Sequence, residues 1–330
     1  MHSFSRRSAI ALGLSAAMLG AATAGAAAQS TYPNRPITLV VPLQAGTASD
    51  LVARVVAQNF SQRTGKNMVI ENITGGGGGI GAGRVARAEP DGYTLGAFNN
   101  GVHTILPFTG MKLGFDPFTD FTPVTLLARF PSVLIVNTAL PVKNVGDLIA
   151  LAKKEPGKLN YASVGVGSPQ HLAMEQLKAD GGFEMTHVPY RGGAAATQAI
   201  STGEVNAFWI ATSVALPFIQ ANTVRAIAVG DRERTKTLPD VPTVSESGVK
   251  GYEYMPTLAL FAPKGTPADV VAYLSREITA SLKDPEVIKR LDDAGLVARF
   301  STGAELQSSL EAEAKTLGPL VKKLNIGGGN

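Results

Sequence analysis

Residues 36–60 read PITLVVPLQAGTASDLVARVVAQNF, and the fold turns on them. The apolar run 37–41 has the length and composition of a buried strand, and an amphipathic pattern begins near 49. Between them lies a short loop, 42–48. Ser49 or Asp50 is expected as the helix N-cap, because either side chain can accept from the first free N–H groups. A strand entering a helix through Gly46 and small hydroxyl residues leaves several N–H groups aimed at one spot. The helix dipole adds roughly half a positive charge there. Such a spot suits a carboxylate or phosphate, although many strand–helix turns look like this and bind nothing.

The same rhythm continues downstream. Strands are predicted at 68–71 and 93–98, separated by NITGGGGGIGAG (72–83) and a short helix at 84–88. The midsection alternates strands (124–128, 132–137, 159–163, 185–188, 205–210, 224–229) with helices (145–155, starting near Asn144; 169–179; 193–201; 216–220). A strand at 258–262 and helices at 267–283, 285–294 and 303–324 close the chain. This pattern predicts α/β architecture with parallel pairing, and two such stretches predict two lobes around a ligand cleft. In open α/β sheets, ligands lie beyond the carboxyl ends of strands. Three loops there carry small polar residues: 44–49, 99–101 and 163–168. Their convergence on one cleft is the strongest indication of a binding site.

Composition narrows the function classes. The chain has 330 residues, 45% hydrophobic and 17% charged, with a net charge of +4 that no dense basic stripe produces. That profile fits a soluble globular protein and not a nucleic-acid binder. Residues 1–28 read as a cleaved export signal: Arg6 and Arg7, an apolar stretch at 9–24, then Ala26-Ala27-Ala28. Both the general secretory and the twin-arginine route stay open, and no later window predicts a membrane span. The sequence has no cysteine, which excludes disulfides, thiolate metal sites, cysteine nucleophiles and a lipid-modified N-terminal cysteine. A free periplasmic protein is expected.

Few motifs suggest chemistry. The glycine run 75–83 contains GxGxxG, but no acidic residue ends the following strand and there is no G-x-x-x-x-G-K-[ST]. It reads as a close-packed connection. His103, His171 and His187 show no metal-ligand spacing, and neither G-x-S-x-G nor H-E-x-x-H is present. No catalytic residue, metal or cofactor is expected. Trp209, the only tryptophan, reads either as core or, with Ile210, as an apolar wall of the cleft. Arg191 reads as a surface residue or as an anion partner.

Several short pieces, in order, carry a resemblance. They include Tyr32-Pro33 with Pro36-Ile37, Val41-Pro42 followed by Gly46 and Asp50, Pro90-Asp91-Gly92-Tyr93-Thr94, and Pro156-Gly157-Lys158-Leu159-Asn160-Tyr161. Gly167-Ser168 before His171-Leu172, His187-Val188-Pro189-Tyr190, Pro239-Asp240-Val241-Pro242-Thr243 with Glu246-Ser247-Gly248, and Ala262-Pro263 with Gly265-Thr266-Pro267 follow. The chain resembles the extracytoplasmic solute receptors of tripartite tricarboxylate transporters, the Bug family, over about 32–326. The resemblance implies a type II periplasmic-binding-protein fold, with lobe 1 formed by 29–125 and 229–330 and lobe 2 by 126–228. It implies a monomer that holds a small organic carboxylate and delivers it to the integral membrane subunits of a secondary transporter. A periplasmic sensing adaptor for a sensor kinase is the alternative role. The ligand shell it implies is Gln44, Gly46, Thr47, Ala48, Ser49, Asn100, Ser163, Gly165, Gly167 and Ser168, with Trp209 and Ile210 beside it. Relatives usually carry a polar residue where Ile210 stands and often Asn where Val166 stands. These departures lean toward a ligand with an apolar body.

Overall fold

β1 (Ile37–Val41) is almost wholly buried, as a continuous apolar run requires when both faces of a strand are covered. It leads into α1 (Ala48–Thr64), whose Val52, Val55, Val56 and Phe60 form a buried stripe at helical spacing. Gly65 ends that helix in the left-handed conformation, φ 68°. β2 (Met68–Asn72) pairs in parallel with β1. α2 (Gly79–Ala86) then begins at Gly79, not at Arg84 as expected, so the second half of the glycine run is helix and not connection. The reason is steric. A Cβ on Gly81 would lie 2.8 Å from the Ile73 carbonyl oxygen and 2.9 Å from Pro42 Cβ, so only a bare backbone seats α2 against the first loop.

The computed structural model describes residues 32–166, 168–190 and 193–326. The expected export signal lies outside the described residues, as do Gly167 and Arg191. Residues 32–35 fall outside the unit Pro36–Asn330 and form bends only. Within that unit, β3 (Thr94–Asn99) pairs with β1, and a single turn, α3 (Gly101–Thr104), follows it. β4 (Phe121–Arg129) and β5 (Ser132–Asn137) are separated by Phe130 and Pro131 alone. Asn144 caps α4 (Val145–Lys154), accepting from Asp147 N at 2.9 Å. β6 (Asn160–Ser163), α5 (Pro169–Gly181), β7 (Thr186–Pro189), α6 (Gly193–Thr202), β8 (Ala207–Ala211), α7 (Thr212–Gln220) and β9 (Val224–Val229) complete the midsection. β10 (Thr257–Pro263), α8 (Ala268–Leu282), α9 (Pro285–Asp293), β11 (Val297–Ala298) and α10 (Gly303–Lys323) end the chain.

The strands form two sheets, ordered β11-β4-β10-β3-β1-β2 and β7-β6-β8-β5-β9. The first draws on both ends of the chain and the second only on its middle. Both are mixed, not parallel throughout. β10 runs antiparallel to β3 and β4, and β5 runs antiparallel to β8 and β9. Phe98, Phe121 and Phe261 anchor the first core, with Phe98 stacked on Phe261 at 5.3 Å and edge-on to Phe121 at 5.2 Å. Leu134, Tyr161, Trp209 and Tyr252 anchor the second.

Two segments connect the sheets, and they lace together where they cross. Phe130 N donates to Pro256 O at 2.9 Å, Gly230 N to Ser132 O at 3.0 Å, and Tyr254 N to Gly230 O at 2.9 Å. Ser132 Oγ also donates to Tyr254 O at 2.9 Å. α10 makes a third link. Its Leu306 and Leu310 pack on the phenylalanines of the first sheet, and Val321 near its end meets Leu172 of α5. A Cβ on Gly230 would fall 2.3 Å from the Tyr254 carbonyl oxygen and 2.7 Å from Ser132 Oγ. The variant Gly230→Ala is therefore expected to lose about 1–3 kcal/mol by overpacking. Thermal denaturation checks this, and an unchanged midpoint would show that the crossing has slack.

Candidate functional site

The first loop is held by Asp50, not capped by it. The N-cap of α1 is Thr47, two residues before the earliest position expected, and its Oγ1 accepts from Asp50 N at 3.4 Å and donates to Gln44 O at 2.9 Å. Asp50 is 3% exposed, and its carboxylate accepts from Gly46 N (2.9 Å), Arg54 Nε (2.8 Å) and Asn72 Nδ2 (3.0 Å). Asn72 Nδ2 also donates to Leu43 O at 3.0 Å, tying β2 to the loop. Burial pushes the Asp50 carboxyl up, but the bonds from Arg54, Gly46 and Asn72, with the Arg54 charge, outweigh it and bring it down to about 2. Gly46 N–H and the Thr47 hydroxyl are thus engaged within the loop. The N–H groups of Ala48 and Ser49 have no backbone partner among the described residues, and Ser49 Oγ has no described partner either.

Ala48 and Ser49 line a cavity of about 1000 Å³. Thr47, Ala48, Ser49, Asn99, Asn100 and Gly101 line it from the first sheet. Pro169 and Leu172, at the N-terminus of α5, line it from the second, with Ile105 and Phe130 adding apolar wall. The head of α1 therefore opens on the cavity, whereas α5 presents its side to it through Pro169, Leu172, Ala173 and Gln176; Gly46, Ser163, Gly165 and Ser168 do not line it. Gln44 lies exposed on the loop and does not line it. Asn100 lines the cavity, yet its side chain is turned into the protein. Its Oδ1 accepts from Thr257 N at 3.3 Å, and its Nδ2 donates to Glu313 Oε1 at 2.5 Å. At the far end Arg129 meets Asp231 at 3.5 Å and Arg232 meets Glu253 at 2.6 Å.

The loop after β6 is braced from below. Ser163 is fully buried; its Oγ donates to Gly165 O (2.9 Å), accepts from Gly165 N (3.0 Å) and lies 2.6 Å from His187 Nε2. Ser168 caps α5, accepting from His171 N at 3.3 Å, and its own N–H donates to Gly165 O at 3.2 Å. His171 and His187 stack at 4.0 Å, and Tyr161 stacks on His187 at 5.0 Å. Burial brings His187 down to about 4, helped by the neighbouring His171, and burial also lowers His171. The pair is neutral at pH 7, so two rings can stack without repulsion. Spacing gave no sign of it, because 16 residues and two elements separate the rings.

Trp209 and Ile210 point to opposite faces of β8. Trp209 is fully buried against Tyr252 and Tyr254 in one core, and Ile210 is 5% exposed in the other. Neither lines the cavity, and Val166 lies 65% exposed outside it. Glu313, which sequence reading passed over, does line it. No clear signal marks it in the sequence, because Ala314 continues the apolar stripe Leu306, Leu310, Ala314, Leu317, Val321 and Glu313 lies at its edge. Among the described residues, no group of three or more His, Asp or Glu side chains is placed to hold a metal, and no helix is long and apolar enough to cross a membrane.

The family described as "Tripartite tricarboxylate transporter family receptor" matches residues 52–326. Among solved structures, the periplasmic binding protein BugD is 34% identical, with TM-score 0.70 over 89% of this chain and 99% of its own. Rpa4515 of R. palustris, solved with adipate, is 35% identical, with TM-score 0.73 over 89% and 98%. MatC of Rhodopseudomonas palustris, solved with bound malate, is 31% identical, with TM-score 0.69 over 89% and 100%.

The Asp50 brace has a pH signature. A carboxyl held below its unfolded value of 3.8 contributes stability in full above that value and loses it as pH falls through about 2. Asp50→Asn is expected to be less stable by about 2 kcal/mol at pH 7, through lost charge-assisted hydrogen bonds. The gap should close between pH 4 and pH 2. Denaturant titrations across that range check it, and a gap independent of pH would contradict the brace.

Proposed function

The chain belongs to the tripartite tricarboxylate transporter receptor family, and from that premise we propose that it captures a small organic carboxylate between two lobes and delivers it to the integral membrane subunits of such a transporter. Members of the family are solute-binding receptors, not enzymes, and the fold is the two-lobed α/β fold of periplasmic solute-binding proteins. The observation that supports the reading is the head of α1, where the N–H groups of Ala48 and Ser49 lack a backbone partner among the described residues and both residues line a cavity that α5 of the other sheet also lines. Unpaired N–H groups at a helix N-terminus bind an anion without burying a paired cation, which avoids the desolvation of an ion pair.

The geometry sharpens the roles in this reading. Ala48 N–H, Ser49 N–H and Ser49 Oγ are the direct donors. Thr47, Ser163, Gly165 and Ser168 hold the two loops in shape, and Asn100 is fixed by its own partners. Gln44, Gly167, Trp209 and Ile210 remain members of the proposed shell only through the resemblance. An apolar ligand body is now supported by Ile105, Leu172 and Phe130 on the cavity wall. The family match and the export signal expected from the sequence support a periplasmic location for the mature chain.

Closure is part of the proposal. Sheet membership supports a first lobe of 29–125 and 229–330 and a second of 126–228, with β4 continuing in the first lobe to Arg129. β4 and β9 are paired within their sheets up to Arg129 and Val229, so the pivots are drawn at the connecting segments Phe130-Pro131 and Gly230. Adipate and malate are the first probes. One of a small panel of mono- and dicarboxylates is expected to raise the melting temperature and to contract the scattering profile. Ser49→Ala is expected to weaken that ligand roughly fivefold, the worth of one hydrogen bond. A panel with no stabilising carboxylate, or identical profiles with and without a stabilising one, would sink the reading.

A further inference from the structure

The least expected group in the cavity wall is an acid. Glu313, on α10, lines the same cavity as Ala48 and Ser49 and is bonded to Asn100, which lines it too. Its Oε1 accepts from Asn100 Nδ2 at 2.5 Å, with Thr104 Oγ1 at 3.5 Å beside it, although the one proton of that hydroxyl has a shorter partner in Asn100 O at 3.1 Å. Its other oxygen, Oε2, has no hydrogen-bond partner among the described residues. The amide donor on Oε1 directs any proton to Oε2, because a carboxyl oxygen already accepting a hydrogen bond is the poorer site for O–H.

The surroundings favour that proton. Burial pushes the Glu313 carboxyl up to about 7; Asn100 pulls it down, Glu253 adds repulsion, and Thr104 pulls it down slightly. Facing it from the crossing segment are Glu253, whose carboxylate is engaged by Arg232, and Tyr254, itself raised by burial and by Glu313. From the α3 side come the neutral Asn100 and Thr104, and α5 lines the cavity with Gln176. No cation contacts Glu313 among the described residues. An arriving carboxylate is one more negative charge near an acid already at its titration point.

We infer that Glu313 is a proton-carrying member of the ligand site, whose free oxygen donates a hydrogen bond to the bound carboxylate, so that capture of the anion takes up a proton. The inference rests on the carboxylate-receptor reading. The exchange balances: ligand anion, ionised Glu313 and one proton from solvent give a complex in which the proton lies on Oε2 between two carboxyl groups. Such an acid–carboxylate bond is of the strong, charge-assisted kind. Below its titration Glu313 already holds the proton and binding takes up none. Above it each ligand brings one, and affinity falls about tenfold per pH unit.

The test is calorimetric titration with adipate, malate, succinate and benzoate, at pH 5.5 and pH 8, in buffers of different ionisation heat. For any probe that binds, uptake is expected near zero at pH 5.5 and approaching one proton at pH 8, with affinity lower at pH 8 by about tenfold or more. Glu313→Gln keeps an acceptor for Asn100 and a donor for the ligand, and should bind with no uptake at either pH. Wild-type binding at pH 8 without proton uptake overturns the inference and leaves the receptor reading intact, and this arm needs no variant. Uptake retained in Glu313→Gln also overturns it. Absence of binding by every probe overturns both.

Discussion

A buried carboxylate must be met by donors, and at the head of α1 that requirement fixes the shape of the first loop. Asp50 draws in Gly46 N–H, Arg54 and Asn72. Because Asn72 also reaches Leu43 O, the loop is fastened to a neighbouring strand and not only to its own helix. The consequence is a division of labour among N–H groups. Gly46 and Asp50 turn theirs inward, while those of Ala48 and Ser49, which line the cavity, have no backbone partner among the described residues. A second loop repeats the logic with neutral groups. Ser163 closes it through Gly165 and is itself held by His187, whose ring stays uncharged because burial forbids otherwise. Rigid, pre-aimed donors bind an anion well because little ordering remains for the ligand to impose.

Three arginines line the cavity, Arg129, Arg232 and Arg299. Arg129 and Arg232 meet Asp231 and Glu253, Arg299 has no ion pair among the described residues, and neither has Glu313. On the receptor reading, directional dipoles and hydrogen bonds at the head of α1 act beside that one unpaired positive charge. A neutral acid fits that scheme as one more donor. The lacing of Gly230, Ser132 and Tyr254 fits it too, since a hinge with close backbone packing restricts lobe motion to few directions.

How much of this was legible in the sequence depended on range. Local patterns placed nearly every strand and helix, because burial imposes periods of two and 3.6 on neighbouring residues. The antiparallel strands β10 and β5 were not legible as such, since their partners lie far along the chain and pairing direction leaves no mark on composition. Thr47 was missed as N-cap because Ser49 and Asp50 are equally good capping types; the carboxylate had a better use as a brace. The glycine run misled for a related reason. Glycine weakens a helix, yet close approach of Pro42 and Ile73 at Gly81 requires it. The three polar loops were found by position, but which of their atoms are free could not be. Thr47, Ser163, Ser168 and Asn100 satisfy one another or remote partners, and only the folded chain distinguishes a donor aimed at a ligand from one aimed at its own backbone. Glu313 was not readable, because Ala314 keeps the apolar stripe of its helix continuous and its partner Asn100 lies 213 positions away.

The central claim is that the carboxylate seats on the open N–H groups at the head of α1. The most direct measurement is a titration of the isotopically labelled protein with a stabilising carboxylate, following backbone amide shifts. The account predicts the largest downfield proton shifts at Ala48 and Ser49, with Gly46 little moved because Asp50 already holds it. Shifts concentrated elsewhere, with Ala48 and Ser49 unmoved, would contradict it.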